Sequence, residues 1–410
     1  MTPSCDLFIV VGEPSGDGYG AAIAEVLLQR NPELVIAAMG GERLRAAGAE
    51  IEQGIDGLAV MGFIPVLKRL PEFLALGRRV AGVIRERRPK VVLTIDYPGF
   101  NLRLQRQLRD LRASGTRLVH VVAPQVWAWR PRRAKKIAAT VDRLLCFFPF
   151  EPHLFSRFGG QADFVGHPLV DLVPEHPDTS AVDEALGFDP AEPVVMLAPG
   201  SREREIRGLL PIMDAAVRRV HATFRRESDR PVRVIIAKAP EQPHALYREY
   251  TDLPLFEGDY RILCHRATAG LVTSGTATLE AALCGLPHVI CYRGDYATVR
   301  LGRHILLTDH FGLPNIVHDA RVVPELLQDE CEPERVAARL LGQWRAAQPQ
   351  RERLLTTRDA LGGGGAMTRI ADIIGEELVA GSARADSKGG ATRSFPEDDA
   401  EGVPQGELPT

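Results

Sequence analysis

The chain has 410 residues, a formal net charge of −3 and a hydrophobic content of 45%. This length exceeds one ordinary core and predicts two domains, and nothing in the charge balance suggests a nucleic-acid binder. The six cysteines form no CxxC pair, so we expect buried free thiols in a reducing compartment. Because the N-terminus lacks a signal-peptide pattern and no stretch reaches 18 apolar residues, we expect a cytoplasmic protein.

Short apolar runs alternate with helical patterns along most of the chain. This alternation is typical of βαβ units and parallel sheets. Helices are predicted at 21–29 and 102–113. The predicted strands of the first series are 6–11, 34–38, 91–95, 117–122 and 143–147.

A break follows Leu172, where 173–177 is predicted to be a linker. A second series of strands is then predicted at 193–198, 232–237, 270–273 and 287–292. The economical architecture is α/β, with two Rossmann-like domains whose parallel sheets face a central cleft. The predicted units are an N-terminal domain at 1–172, a C-terminal domain at 178–345, helices at 346–380 that could pack back on the N-terminal domain, and a disordered tail at 381–410.

Ligands of open parallel sheets bind beyond the carboxyl ends of the strands. The loop after the first strand contains Glu13, Ser15, Gly16 and Asp17. Its glycines allow a close approach to the backbone, whereas its two acids disfavour a phosphate cradle and favour a sugar or a hydroxyl that needs a base. The alternative is a tight turn in which an acid caps the next helix.

Two further strand ends of the first series carry candidate residues. Asp96 ends the strand at 91–95 in a Pro-containing turn, which suits a general base, although capping of the next helix is the commoner role. Trp127 and Trp129 follow the strand at 117–122, beside Arg130. Aromatic faces near cations suit sugar or acyl contacts, and a buried structural tryptophan pair is an equally fair interpretation.

In the second series, small and cationic residues follow two strands. Arg202 can clamp a diphosphate, and a helix opened by small hydroxyl residues presents free N–H groups to a phosphate. Glu280, one turn further along that helix, could accept hydrogen bonds from ribose hydroxyls. A capped structural helix is the alternative. The two sets are Gly200, Ser201 and Arg202, and Ser274, Gly275, Thr276 and Glu280.

The chain contains no Asp-X-Asp and no His, Asp and Glu cluster with metal-ligand spacing. We therefore expect no metal and no cofactor, with phosphates neutralised by arginine and helix dipoles. The P-loop pattern is absent, and no Gly-x-Gly-x-x-Gly follows the first strand, which disfavours a P-loop NTPase and a dehydrogenase.

Taken in order, these segments resemble the lipid-A-disaccharide synthase family (glycosyltransferase family 19), from about residue 6 to residue 379. The resemblance implies a GT-B fold and an inverting transfer from UDP-2,3-diacylglucosamine to 2,3-diacylglucosamine 1-phosphate. The products would be UDP and a β-1,6-linked disaccharide 1-phosphate. The matching segments are GEPSGD at 12–17, VMG at 60–62, IDYPGFN at 95–101, PQVWAWR at 124–130, PFE at 149–151, FVGHP at 164–168, PGSR at 199–202, SGTATLE at 274–280 and LPN at 313–315.

The resemblance also implies residue roles. The base candidates are Asp96, Glu13 and Asp17, with Asp96 favoured, and Arg202 would stabilise the leaving diphosphate. Many members carry acids where this chain has Pro65 and Gly99, so carboxylate roles at these two positions are in doubt. The expected substrate- and UDP-binding residues are Ser15, Gly16, Trp127, Arg130, Gly200, Ser201, Arg202, Ser274, Gly275, Thr276, Glu280 and Asn315.

Acylated substrates require access to a bilayer. Residues 60–83 are apolar with basic flanks, which suits an anionic membrane surface; an amphipathic helix packed on its sheet is the alternative. We expect peripheral association with the inner face of the inner membrane and leave the oligomeric state open, with a homodimer as one option. Two rivals remain: a sugar-nucleotide epimerase of the same architecture and an inactive nucleotide-binding regulator.

Overall fold

The computed structural model describes residues 3–55, 69–128, 131–294 and 309–388, and two parallel β-sheets form their framework. The first sheet contains Leu7–Val10 (β1), Ile36–Gly40 (β2), Glu50–Gly54 (β3), Val91–Ile95 (β4), Arg117–Val121 (β5), Arg143–Cys146 (β6) and Ala162–Phe164 (β7). The second contains Val194–Ala198 (β8), Arg233–Ala237 (β9), Leu255–Phe256 (β10), Ala269–Thr273 (β11), His288–Tyr292 (β12) and Glu325–Leu327 (β13). Their spatial orders are β3-β2-β1-β4-β5-β6-β7 and β10-β9-β8-β11-β12-β13.

Both sheets are buried on both faces. In β1, Leu7 and Ile9 pack into one hydrophobic cluster, while Phe8 and Val10 pack into another on the opposite face. Strand β8 of the second sheet divides its side chains between two clusters in the same way. Two-sided burial explains why the central strands are continuous apolar runs rather than alternating patterns. The prediction of an α/β fold with two parallel sheets is therefore confirmed.

The helices that cover these faces follow the strands in alternation. In the first part of the chain they are Pro14–Arg30 (α1), Glu42–Ala46 (α2), Leu70–Arg87 (α3), Pro98–Gln107 (α4), Arg133–Ala138 (α5), Glu151–Ser156 (α6) and Leu169–Leu172 (α7). Those after the break are Ser180–Leu186 (α8), Glu203–Glu227 (α9), His244–Arg248 (α10), Tyr260–Arg266 (α11), Thr276–Leu283 (α12), Leu313–His318 (α13), Pro333–Arg345 (α14), Ala347–Leu355 (α15), Thr357–Ala360 (α16) and Ala366–Lys388 (α17).

Every strand predicted from the sequence is present, with ends that differ by one or two residues. The predicted helix at 102–113 is divided between α4 and a 3-10 helix at Arg109–Ser114. The strands that the sequence did not reveal are β3, β7, β10 and β13, which are the four sheet edges. All four are partly exposed, and β7, β10 and β13 have only two or three residues, so they lack the continuous apolar run that marks a central strand.

The break after Leu172 coincides with the end of α7, and no helix or strand lies between it and Ser180. Two arginines hold this linker: Arg358 donates to the carbonyls of Val170 and Val173 at 3.0 and 2.7 Å, and Arg261 donates to the carbonyl of Leu172 at 2.9 Å. The linker is therefore bound to the second half of the chain by charge-assisted hydrogen bonds.

The last helix, α17, returns to the first sheet. Ile370, Ala371 and Ile374 join the cluster that contains Leu7 of β1, and Glu377 accepts from Arg117 of β5 at 2.5 Å. The helix continues to Lys388, so the expectation of a disordered tail from residue 381 is wrong for 381–388. Residues 389–410 lie outside the described part of the chain.

A run of four glycines, 362–365, permits this return. All four have φ between 66° and 94°, a left-handed conformation that side-chain-bearing residues rarely adopt. The turn ends where both carboxylate oxygens of Asp171 accept the backbone N–H groups of Gly365 and Ala366 at 2.6 and 3.1 Å. Asp171 thereby caps the first turn of α17.

Helix α3 contains the described part of the segment expected to meet a membrane. Its apolar face, including Leu76, Val80 and Ile84, packs on the first sheet, as in the packed-helix alternative. Arg87, one of the basic flanking residues, is buried and pairs with Glu50. Residues 56–68, which carry the VMG segment and Pro65, lie outside the described residues. No helix in the described ranges is both long and apolar enough to cross a bilayer.

The docking of α17 leads to a stability prediction. A chain that ends at Gly365 loses the buried Ile370 and Ile374, each worth roughly 1.5–3 kcal/mol, so we expect the free energy of unfolding to fall by at least about 3 kcal/mol. A control chain that ends at Lys388 loses only a segment poor in apolar residues and should melt within about 2 °C of the full chain. Thermal denaturation of the three chains measures both effects, and equal melting temperatures would show that α17 contributes nothing.

Candidate functional site

The loop after β1 packs tightly against the turn after β4. A Cβ atom on Gly12 would lie 2.4 Å from the Tyr97 ring, so only glycine fits there. Gly16 is also tightly packed, since its Cβ would lie 3.3 Å from Val11. Ser15 is exposed on the first turn of α1. These contacts bring the β1 loop beside Asp96.

Asp17 does not have the role expected of a base. It is 4% exposed, and its two carboxylate oxygens accept the backbone N–H groups of Gly41 and Arg43 at 2.6 and 3.0 Å. These amides belong to the first turn of α2 and its preceding residue, so Asp17 caps that helix. The side chain is buried and both of its oxygens accept backbone N–H groups, which argues against Asp17 as a base and favours Asp96 and Glu13.

Asp96 lies in a strained turn at the end of β4. Its φ is 49° and that of Tyr97 is 46°, both in the left-handed region that non-glycine residues rarely occupy. The turn is held by the buried Asn101, whose side-chain N–H group donates to the carbonyls of Asp96 and Ile95 at 2.7 and 3.1 Å. Conformations of this kind cost about 1–3 kcal/mol per residue and often occur at functional sites.

The neighbouring strand β5 ends in the same unusual way. Val122, a β-branched residue, has φ of 72°, which places it among genuine backbone outliers. The N–H group of Asp96 donates to the carbonyl of Val121 at 2.9 Å, so the two strand ends are bonded directly. Two adjacent strained strand ends therefore face the same space.

That space is a cavity of about 610 Å³, which we call the Asp96 cavity. Its walls include residues of both halves of the chain, because Thr276 of α12 and Leu313 of α13 lie opposite Asp96. Gly99 also lines it, and a side chain there would meet open space. The polar and second-half residues of this lining are Tyr19, Asp96, Gln125, Arg133, Glu151, His167, Thr276 and Leu313.

Burial governs the protonation of the acids near this cavity. Desolvation raises the pKa of Asp96 above its ordinary value. The pKa of Glu13 is raised by burial and then by the negative charge of Asp96. Burial raises the pKa of Tyr19, and the charges of Asp96 and Glu280 raise it further. Tyr19 is therefore close to acids from both halves of the chain.

Trp127 is fixed by Glu151, a buried acid that lines the Asp96 cavity. Its indole N–H group donates to Glu151 at 3.1 Å, and its ring packs edge-on against Phe150 at 5.1 Å. Glu151 also accepts the N–H group of Phe148 at 3.1 Å, and burial raises its pKa to about 8. Trp127 itself does not line the cavity, in agreement with the structural alternative. Trp129 and Arg130 lie outside the described residues.

The second half of the chain has its own cavity of about 670 Å³, which we call the Arg202 cavity. Arg202 precedes α9, and its guanidinium donates to Glu205 at 2.9 Å. Gly200, with φ of 121°, makes the turn from β8. Ser201 lines the cavity beside them. Gly200, Ser201 and Arg202, the three residues expected at this strand end, therefore all line the Arg202 cavity.

The N-terminus of α12 forms the opposite side of the Arg202 cavity. Gly275 has φ of 145°, and a Cβ on it would meet open space. Ser274 and Thr276 flank it, and Thr276 lines both cavities. Glu280 lies one turn into the helix, where burial raises its pKa to about 7 although the Arg261 charge acts in the opposite direction. The exposed N–H groups of this helix start suit an anionic ligand.

Asn315 corrects a further expectation. It is fully buried, and its side-chain amide donates to the carbonyl of Val323 and the carboxylate of Glu325 at 2.9 and 2.7 Å. Its oxygen accepts the N–H groups of Val322 and Val323 at 2.7 and 2.9 Å. Every polar atom of this side chain is occupied, so Asn315 supports the fold and is unsuited to contact a ligand.

Sequence reasoning missed several residues of the two cavities. Lys238 directly follows β9 and pairs with Glu257 at 3.1 Å, and Arg261 at the start of α11 pairs with Asp259 at 2.8 Å. Both cations line the Arg202 cavity. The strand-end rule, applied to 233–237, would have revealed Lys238. In the described part of the chain, no three His, Cys, Asp or Glu side chains converge as a metal site would require.

Solved structures with this architecture include glycosyltransferases and epimerases. The calicheamicin glycosyltransferase CalG4 aligns with a TM-score of 0.56 at 16% identity, over 92% of this chain and 99% of that protein. The UDP-GlcNAc 2-epimerase from Neisseria meningitidis bound to UDP-GlcNAc aligns with a TM-score of 0.58 at 11% identity, over 90% and 100% of the two chains. At such identities the likeness establishes the fold alone, which is GT-B.

Sequence relatives are more specific. A model of the lipid-A-disaccharide synthetase family matches residues 7–365. The lipid-A-disaccharide synthase of Myxococcus xanthus (strain DK1622) is 37% identical over 390 residues, covering 93% of this chain and all of that protein. That of Neisseria meningitidis serogroup B (strain ATCC BAA-335 / MC58) is 39% identical over 340 residues, covering 81% and 86%. With a family match over most of its length, the chain belongs to the lipid-A-disaccharide synthase family of glycosyltransferases.

Proposed function

We propose that the enzyme condenses UDP-2,3-diacylglucosamine with 2,3-diacylglucosamine 1-phosphate to form a β-1,6-linked disaccharide 1-phosphate and UDP. The observation that carries the proposal is the position of Thr276, at the start of α12, in the walls of both cavities. A diphosphate on that helix start would place the anomeric carbon of the donor sugar next to the cavity that contains Asp96.

The Arg202 cavity is the proposed UDP site. Arg202 and the free N–H groups at the start of α12 would share the diphosphate charge, so no bound cation is required. In the free enzyme Arg202 is paired with Glu205, and a diphosphate would compete for or share that guanidinium. Glu280, whose pKa of about 7 leaves it partly protonated at neutral pH, can both accept from and donate to ribose hydroxyls.

The Asp96 cavity is the proposed acceptor site, with Asp96 as the general base. The oxygen of the acceptor 6-hydroxyl attacks the anomeric carbon while the bond from that carbon to the UDP oxygen breaks. The hydroxyl proton passes to Asp96, and UDP leaves with the electron pair from the opposite face, which inverts the anomeric centre. Glu13 is the alternative base, and burial and the negative charge of Asp96 raise its pKa.

The acyl chains of both substrates require contact with a bilayer, and we propose peripheral association with the inner face of the inner membrane. The supporting observation in the described residues is the exposed, basic outer side of α3, which carries Arg78 and Arg79. Such a surface attracts anionic lipids.

Product analysis tests the reaction. The enzyme is incubated with both acylated substrates, and we expect mass spectrometry to detect the disaccharide 1-phosphate and NMR to assign a β linkage. Turnover should persist in EDTA, because the diphosphate charge is balanced by protein groups. An epimerised UDP-sugar without disaccharide would instead support the epimerase alternative. UDP binding without any product would support the inactive regulator. Loss of activity in EDTA with recovery in magnesium would contradict the metal-free mechanism.

Substitutions separate the roles of the two cavities. Asp96→Ala should lower turnover by about 100- to 10,000-fold, the usual contribution of a general base, with nearly unchanged UDP affinity. Arg202→Ala should weaken UDP binding by roughly 1.5–3 kcal/mol, because a charge-assisted hydrogen bond is lost, and should also lower turnover. Calorimetric titration of UDP and initial rates measure both. Lost UDP binding in a folded Asp96→Ala variant would contradict this assignment of the cavities.

The pH profile identifies the base. Burial raises the pKa of Asp96, and a base is lost as the pH falls through its pKa. We therefore expect kcat/KM to decline on the acid side at a pH above the ordinary pKa of an exposed aspartate. Glu13→Gln should keep this acid limb, whereas Asp96→Asn should remove it and leave a low, flat profile. An acid limb that survives in Asp96→Asn and disappears in Glu13→Gln would assign the base to Glu13.

A further inference from the structure

His167 lies where the two halves of the chain meet, and it has no assigned role. It precedes α7, and its backbone N–H group donates to the carbonyl of Leu361, just before the glycine run. Its ring packs against Phe147 and Phe148, each with ring centroids 5.4 Å away. The same ring lines the Asp96 cavity. Its position is therefore fixed by aromatic packing and by backbone contacts from both halves.

The hydrogen bonding of the ring defines its tautomer. The backbone N–H group of Leu169 donates to Nδ1 at 3.2 Å, so Nδ1 is an acceptor and the proton of a neutral ring lies on Nε2. Burial lowers the pKa of His167 to about 4, which keeps the ring neutral at physiological pH. Within the described residues, Nε2 has no protein hydrogen-bond partner.

The lining also contains Gln125, Arg133, Tyr19 and Thr276, whose side chains carry donor groups, so His167 is one of several donors in this cavity. Asp96 is an acceptor when it acts as a base, and both oxygens of Glu151 are already occupied by Trp127 and Phe148. A sugar in the cavity presents hydroxyl and ring oxygens, and a sugar nucleotide adds phosphate oxygens, all of which accept hydrogen bonds. A neutral donor can bind such an oxygen without attracting a proton from the reaction.

We propose that His167 is a substrate-binding residue, which donates a hydrogen bond from Nε2 to an oxygen of a substrate in the Asp96 cavity. This inference rests on the proposed function, because it assumes that a sugar occupies the cavity during transfer. In this role the residue contributes to binding and orientation and exchanges no proton with the reacting atoms.

Three substitutions of His167 test the donor. His167→Gln places a side-chain N–H group near the position of Nε2, His167→Phe retains a ring without a donor, and His167→Asn retains polar atoms near Nδ1 only. We expect kcat/KM to fall about 5- to 100-fold in the Phe and Asn variants, since an unpaired substrate oxygen costs that much, and to stay within about threefold in the Gln variant. The Gln and Phe variants both lose the Leu169 contact and are therefore matched for that structural defect.

The kinetic comparison is read together with melting temperatures, which show whether each substitution affects folding. Separate KM values for the UDP-sugar and for the acceptor show which substrate receives the hydrogen bond, and a merely structural role would not single out one substrate. If His167→Gln is as slow as His167→Phe at similar melting temperatures, the donor role is wrong. An acid limb in the wild type that disappears in His167→Gln would instead make the residue an acid or base.

Imidazole ¹⁵N NMR of the wild-type protein tests the inference without turnover. We expect the His167 signals to report an Nε2–H tautomer that does not titrate between pH 6 and 8, and to shift when UDP-2,3-diacylglucosamine or the acceptor is added. An Nδ1–H tautomer, titration near pH 6.5, or no shift with either substrate would overturn it. A shift without disaccharide formation would contradict the proposed function and leave the His167 contact in place, so the two failures are distinguishable.

Discussion

The burial of both faces of two parallel sheets is the constraint on which the rest of this structure depends. A strand such as β1, with Leu7 and Ile9 on one side and Phe8 and Val10 on the other, leaves no position for a polar functional group along its length. Residues that bind ligands are therefore expected at the strand ends, and parallel connections bring the carboxyl ends to one edge. The two cavities lie at these edges, and Thr276 belongs to both.

Strain at the strand ends is the second element of the design. Asp96 and Val122 adopt left-handed backbone conformations at the ends of adjacent strands. The free-energy cost of these conformations is offset by the contacts that surround them. The side-chain amide of Asn101 donates to the carbonyl of Asp96, and Gly12 leaves room for the Tyr97 ring. The Asp96 carboxyl is thereby held in the wall of the cavity, where burial raises its pKa, as a proton acceptor requires.

The sequence was sufficient to predict the central strands and the position of Arg202 at a strand end, because both depend on a local pattern of residues. It was insufficient where the role of a residue depends on hydrogen-bond partners that are distant in the chain. Asp17 and Asn315 resemble site residues in the sequence, but both are buried, and their side chains bond to the backbone at 41–43 and at 322–323. His167 shows the opposite case, since only the fold reveals that one ring nitrogen accepts the Leu169 N–H group and that the residue lines a cavity.

The return of α17 to the first sheet has a consequence for biosynthesis. The first sheet leaves the ribosome long before Ile370 and Ile374, which complete the cluster around Leu7. At about 5–20 residues per second, synthesis of the intervening half takes on the order of ten seconds or more. During that interval the nascent first half exposes an apolar face that its own chain cannot yet cover.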